Sequence, residues 1–289
     1  MVRDVRLKSI ELMDMFITNI SKEKSTAMLT NIFPYLNDCL FQYTPQKLYT
    51  QYNESTWNMV QKLLLETKDQ EVIGLLTDLF IKYSDSDLQI LALWHWFSGK
   101  EECKFTAGLT KANIKPNLSQ KWEIIFKLFG QKDISDSVKN ECREVLELED
   151  TTDLKRSYGD KIRALVASNE ERDKLWDEFF NKDSELSHTQ IGDLASGFNN
   201  RMVSYDRRQK YHQRYFDGLI EILKVRSKNS AMKIFNGLMP IFEDYGELVR
   251  GFEKLEPEFE GLNAFWRKKL RGHLDLARKR LKALEFASN

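Results

Sequence analysis

Proline and glycine are scarce in this chain, 5 and 13 among 289 residues, and nearly all of them fall where a helix would begin or end. That scarcity excludes collagen-like and low-complexity linker architectures. Cysteine is also rare. Cys39, Cys103 and Cys142 are an odd number without a close pair or a CxxC motif. No disulfide framework follows, and a reducing, cytoplasmic setting is expected, with the three thiols as small buried apolar residues. Net charge is absent: 44 Lys and Arg face 44 Asp and Glu. A balanced chain is not built to coat nucleic acid or an anionic membrane. No apolar run approaches the ~20 residues needed to cross a bilayer. Asp4, Glu11 and Asp14 spoil the amphipathic opening as a mitochondrial presequence, and no secretory signal is visible.

The chemistry of sites is thin as well. His95, His188, His212 and His273 contain no pair at the i, i+4 spacing that sets two imidazoles on one helical face. There is no Gly-rich phosphate loop and no nucleophile elbow. His95, between Trp94 and Trp96, reads as part of an aromatic core cluster. Asp85-Ser86-Asp87 opens like a calcium loop but continues with Gln89 and Ile90, so it reads as a helix cap.

What is present is helical periodicity, from end to end. Val5, Ile10, Met13, Phe16, Ile17 and Ile20 make one apolar face. Pro34 is expected to kink or end a second helix that starts near Ser25. Thr44-Pro45 predicts a cap and a start for a helix running to about Glu66. Asp69, Ser86 or Asp87, and Ser119 open the next ones. Gly130 reads as a left-handed stop. Further starts are expected near Asp136, Thr152, Asn169 and Ser187, then helices over roughly 205–225, 229–241 and 244–255, the last ended by Pro257. A long closing helix from Leu262 carries Trp266, Leu270, Leu274, Ala277, Leu281 and Leu284 as its buried stripe. Roughly a dozen helices on short polar turns predict an all-α chain, an α-solenoid of antiparallel hairpins of the HEAT or armadillo kind. One domain over 1–289 is expected, with a soft boundary near 147–153 around Glu147-Leu148-Glu149-Asp150.

Two basic concentrations stand out. Arg267, Lys268, Arg271, Lys279 and Lys282 on the closing helix form a candidate docking strip, and Arg201, Arg207, Arg208 and Arg214 a second patch. Either can be a solvated outer face or an anionic docking surface for a protein partner. Tyr205, Tyr211, Tyr215 and Phe216 interleave with the second patch, but their spacing suits a core better than base stacking.

A series of short signatures runs through the second half. Asn117-Leu118-Ser119-Gln120-Lys121-Trp122 leads through Ile124, Ile125 and Leu128 to Gly130. Lys174-Leu175-Trp176, Gly197-Phe198, Tyr215-Phe216 and Asn236-Gly237-Leu238-Met239-Pro240 follow, then Arg278, Arg280, Leu281 and Lys282. In that order they resemble the C-terminal helical domain of M1-family zinc aminopeptidases, the aminopeptidase N group. Lys121 and Met239 depart from that pattern, which usually has Arg and an aromatic there. The likeness extends weakly upstream to Asp87-Leu88-Gln89. It covers no part of a catalytic domain, since neither HExxH nor Gly-x-Met-Glu-Asn occurs.

The resemblance implies a non-catalytic domain that caps a peptide chamber and binds protein or peptide, in cis or in trans with a zinc-bearing catalytic half. No cofactor is expected in this chain itself. The alternative is a free-standing scaffold subunit of a larger assembly. None of the matched motifs is one that contacts substrate in that family, so no catalytic or metal residue is carried over.

Overall fold

The computed structural model describes residues 7–23, 25–99, 106–242 and 244–288. Val5 and Cys103 lie outside them. Among the described residues there are sixteen α-helices and no strand, so the fold is all-α. The helices are α1 Ser9–Asn19, α2 Thr26–Asp38, α3 Gln46–Glu66, α4 Gln70–Tyr83, α5 Asp87–Phe97 and α6 Ala107–Lys111. Next come α7 Leu118–Gly130, α8 Asp136–Glu149, α9 Leu154–Val166, α10 Asn169–Phe180 and α11 His188–Phe198. The chain ends with α12 Tyr205–Gln209, α13 His212–Val225, α14 Lys228–Gly237, α15 Tyr245–Leu255 and α16 Ala264–Ser288.

Local chemistry explains most starts. Asp69 accepts from the amides of Glu71 and Val72. Ser86 with Gln89, Ser168 with Glu171, and Ser187 with Gln190 close reciprocal capping boxes, and Asp85-Ser86-Asp87 is the helix cap expected of it. Several expectations are corrected. Pro34 does not end α2, which continues to Asp38 and passes into a π turn at Cys39–Tyr43. Thr44 accepts from no helix amide among the described residues, and its hydroxyl donates back to the Cys39 carbonyl. Asn117, not Ser119, opens α7 through a two-way bond with Gln120. Gly130 is the last residue of that helix and lacks a positive φ, which occurs at Gly99 and Asn113. What Gly130 supplies is room, since a Cβ there would strike Met202. The span 205–225 is two helices, α12 and α13.

The chain forms two compact units. One contains everything to Leu128 together with the residues from Lys279 onward, and the other is Phe129–Arg278. The division falls inside α7. The segment 147–153, expected as a soft boundary, joins α8 to α9 within the second unit. Asp150 is buried there and accepts from both the amide and the hydroxyl of Thr152.

In the first unit α2, α4 and α7 form one row. Thr26 bonds Asp69 and Tyr83 bonds Asn37, so α2 and α4 run in the same sense. Gln120 donates to Gly74 O and Asp78, while Lys127 donates to Lys82 O, which sets α7 along α4 the same way. Trp57 of α3 stacks on Phe80 of α4, with Trp96 of α5 edge-on to Phe80. A smaller cluster joins Tyr43, Leu12 and Ala283.

The second unit repeats the scheme. α11 packs on α9 and on α14. Gly192 faces Lys233 and Gly237 faces Ala195, so α11 and α14 are parallel. On the other side of the hairpins α10 and α13 are also parallel. Asp173 meets Lys210 and Arg214, and Gly218 lies against Phe180. This alternation of two parallel rows is what stacked helical hairpins produce. The stripe of α16 holds for Trp266, Leu270, Leu274 and Ala277. Beyond them Leu281 and Leu284 are only half-buried, and Ala283 and Ala287 are buried instead. The shift coincides with Lys279, where the helix passes into the other compact unit and packs on different neighbours.

Candidate functional site

The second unit carries a cleft of about 580 Å³ between α12, α13 and α15, a volume within the usual range for ligand sites. Tyr205, Phe216 and Phe242 supply its aromatic wall, and Lys210, Arg250 and Lys254 its positive rim, opposed by Glu247. Gly251 lets α15 approach, because a Cβ there would occupy the Phe216 ring. Lys210 is held by Asp173 at 2.7 Å and Arg250 by Asp244 at 3.3 Å. Lys254 is exposed and has no acidic partner among the described residues.

His212 lines the cleft, 8% exposed, with Phe242 edge-on at 4.3 Å and Tyr205 at 5.8 Å. Its Nε2 is buried without a partner. Burial, aided by the charge of Arg208, brings its pKa down to about 4 from 6.5. The folded ring therefore stays neutral where the unfolded one is protonated. Between these two values the unfolded chain binds more protons, and stability falls as the pH drops from 6.5 to 4. The loss expected from this residue is at most ~3 kcal/mol. Urea melts across that range should show a shallower decline in His212→Phe. Equal slopes would mean that the ring is solvated in the folded chain.

The structure corrects the second basic patch. Arg207 donates to the Ala167 carbonyl and to Asn169. Arg208 is buried and donates to the carbonyls of Val203 and Ile241. Arg214 is shared between Asp173 and Asp177 at 3.1 and 2.9 Å. Arg201 is exposed. Arg207 thus closes the end of α9, Arg208 holds the loops at Val203 and Ile241, and Arg214 ties α13 to α10, so three of the four spend hydrogen bonds on the fold. The sequence pattern also hides Arg172, which is fully buried. It stacks on Phe198 at 3.8 Å and donates to that residue's carbonyl. Desolvation lowers its pKa to about 10. Lys210, first among its partners, holds the Asp173 carboxyl below the usual carboxylate range.

The strip on α16 is exposed at Lys268, Arg271, Lys279 and Lys282 and half-buried at Arg267. Arg267 and Arg271 both pair with Glu260, in the turn before the helix. Each exposed pair of this kind is worth little, and the single carboxylate of Glu260 offsets one of the strip's five positive charges. Lys268 and Lys282 remain without acidic partners among the described residues.

The other sequence candidates are structural. Trp96 is buried with Phe80 edge-on, while Trp94 and His95 are half-buried and Trp94 stacks on Phe97 at 6.1 Å, so aromatic contacts lie on both sides of the histidine. Cys39 and Cys142 are buried, and burial pushes the Cys39 thiol up to about 11. No group of three His, Cys, Asp or Glu side chains is placed to hold a metal ion among the described residues, and none of the described helices is long and apolar enough to cross a membrane. No protein-family model matches this sequence, and no curated protein matches it closely enough to count as a relative.

Proposed function

We propose that this chain is a non-catalytic helical domain of the kind that caps the substrate chamber in M1 aminopeptidases, and that it acts by binding peptide or protein. The observation that carries the reading is where the resembling motifs fall. Trp122, Trp176, Phe198 and Tyr215 are buried, and Gly197 and Gly237 are the points of closest approach between α11 and its two row neighbours. The signatures from Trp176 to Gly237 thus fall at packing positions of the second unit, while Trp122 belongs to the core of the first. The cleft in the second unit, aromatic and with Lys254 lacking an acidic partner among the described residues, is where a peptide segment carrying acidic groups would seat.

Two measurements test this. The isolated chain should hydrolyse no aminoacyl-arylamide, with or without added zinc, because catalytic zinc needs three fixed ligands and an open position. Turnover that survives removal of contaminating peptidases, with one zinc per chain, would refute it. Fluorescence anisotropy should show acidic peptides binding better than basic ones, with Lys254→Glu weakening them about tenfold, as loss of a charge-assisted contact does.

A scaffold role in a larger assembly is favoured by a different feature. Val145 and Leu148, one turn apart on α8, are 49% and 87% exposed. Co-purification of a stoichiometric partner lost in Leu148→Asp, with no peptide binding at the cleft, would select that role.

A further inference from the structure

The second unit has another cleft, of about 770 Å³, between α8 and α9. Four cations line it, Arg143, Lys155, Arg156 and Arg163, against two acids, Glu147 and Asp160. Glu147 answers two of the cations, Arg143 at 2.7 Å and Lys155 at 3.7 Å. Asp160 stands 3.6 Å from Arg163, and Arg156 has the exposed Asp153 at 3.7 Å. Separations of 3.6 and 3.7 Å are too long for hydrogen bonds. Among the described residues Arg156 and Arg163 therefore donate to nothing, and Arg143 donates through Nε alone. These donors are open to a ligand, because the four side chains are 37% to 67% exposed.

The floor between them is bare. Gly159 lines the cleft from the interior of α9, and a Cβ added to it would meet nothing within 4 Å. Glycine inside a helix weakens it, and here no packing neighbour needs the space. Arg156 lies three residues before Gly159 and Arg163 four after it, so all three share one face of α9. An anion can thus approach the helix closely with a guanidinium on either side.

We infer that this cleft binds an oligophosphate, a chain of linked phosphate groups lying over Gly159 between Arg156 and Arg163, with Arg143 and Lys155 as further donors. The cations outnumber the acids by two, which a singly charged ion does not match. Guanidinium forks pair with phosphate oxygens two at a time. Arg156 and Arg163 are about 10 Å apart along the helix axis, a span that suits several linked phosphates better than one. The chain can be free or the tail of a nucleotide, whose base would meet Phe129, a half-buried ring in the same cleft. The site shares no residue with the cleft of α12, α13 and α15 and does not depend on the peptide reading.

Titration calorimetry on the full chain, in magnesium-free buffer, tests it with tripolyphosphate, ATP and the small tricarboxylate tricarballylate. Saturable binding of the two phosphates is expected, with the carboxylate at least about tenfold weaker. Tighter binding of ATP would identify a nucleotide as the source, and equal binding the phosphate chain alone. Arg156→Gln and Arg163→Gln, both exposed changes, should each weaken the phosphates roughly tenfold. Gly159→Leu fills the floor and should weaken them as much, without lowering the urea midpoint, since leucine is the better helix former. Lys254→Glu, in the other cleft, should change nothing. Absence of saturation for both phosphates would overturn the inference, as would a carboxylate that binds equally well. So would binding that Arg156→Gln and Arg163→Gln leave intact, or that Lys254→Glu removes. Should Gly159→Leu lower the midpoint, the two arginine variants decide.

Discussion

Gly197→Ala is expected to cost ~3 kcal/mol or more, a large effect for one methyl group. The added Cβ would overlap the Lys161 carbonyl oxygen, 2.8 Å from its carbon and 3.1 Å from the Leu165 amide. All three are backbone atoms of α9, so no rotamer change can relieve the contact. The helices must separate, and each ångström of separation loosens Ile162, Leu165, Leu194 and Phe198, all buried. Gly272, on the exposed side of α16, has nothing within 4 Å of its Cβ position. Gly272→Ala should therefore stabilise the chain by about 0.5–1 kcal/mol through helix propensity. Urea denaturation of the two variants beside the parent decides the matter. If Gly197→Ala left the midpoint unchanged or raised it, α9 and α11 would not meet as described.

Leu274→Asp should cost ~3–5 kcal/mol. Leu274 is 1% exposed, between Leu270 and Ala277 on the buried stripe of α16. Aspartate there places an unpaired charge where water cannot reach, or else forces the helix off its seat. Lys268, on the opposite side of the same helix, is exposed and without an acidic partner among the described residues. Lys268→Asp should stay within about 0.5 kcal/mol. Destabilisation of equal size by both would mean that α16 is enclosed on all sides, and its basic strip would then be an interior ion-pair layer.

Much of the helical inventory could be read from the chain alone, because its causes are local. A serine or aspartate accepting from amides two or three residues on does so whatever lies elsewhere, and Asp69, Ser86, Ser168 and Ser187 all do. The apolar face of α16 to Ala277 follows from the 3.6-residue period in the same way. Errors arose where one residue type serves two ends. Thr44 reads as a cap but bonds backward to Cys39, and Gly130 reads as a left-handed stop but yields space to Met202. Period alone likewise carried the stripe on to Leu281 and Leu284, since it says nothing about which neighbours a helix meets after Lys279.

The clefts and the fate of the arginines belong to tertiary structure. Arg207, Arg208 and Arg214 look like a solvent-facing patch in sequence because their partners, Ala167, Ile241, Asp173 and Asp177, lie some 33 to 41 residues away. The same holds for Asn53, whose partner Tyr83 lies on the next helix. Composition and period determined an all-α chain of capped helices with the helix faces that must be buried. Only the packing of parallel rows decided which charged groups spend their hydrogen bonds on the fold, as Arg172, Arg207 and Arg208 do, and which, like Lys254 and Lys268, stay exposed. Hydrogen bonds are short-ranged and directional, so that allocation depends on three-dimensional neighbours that the order of residues along the chain does not specify.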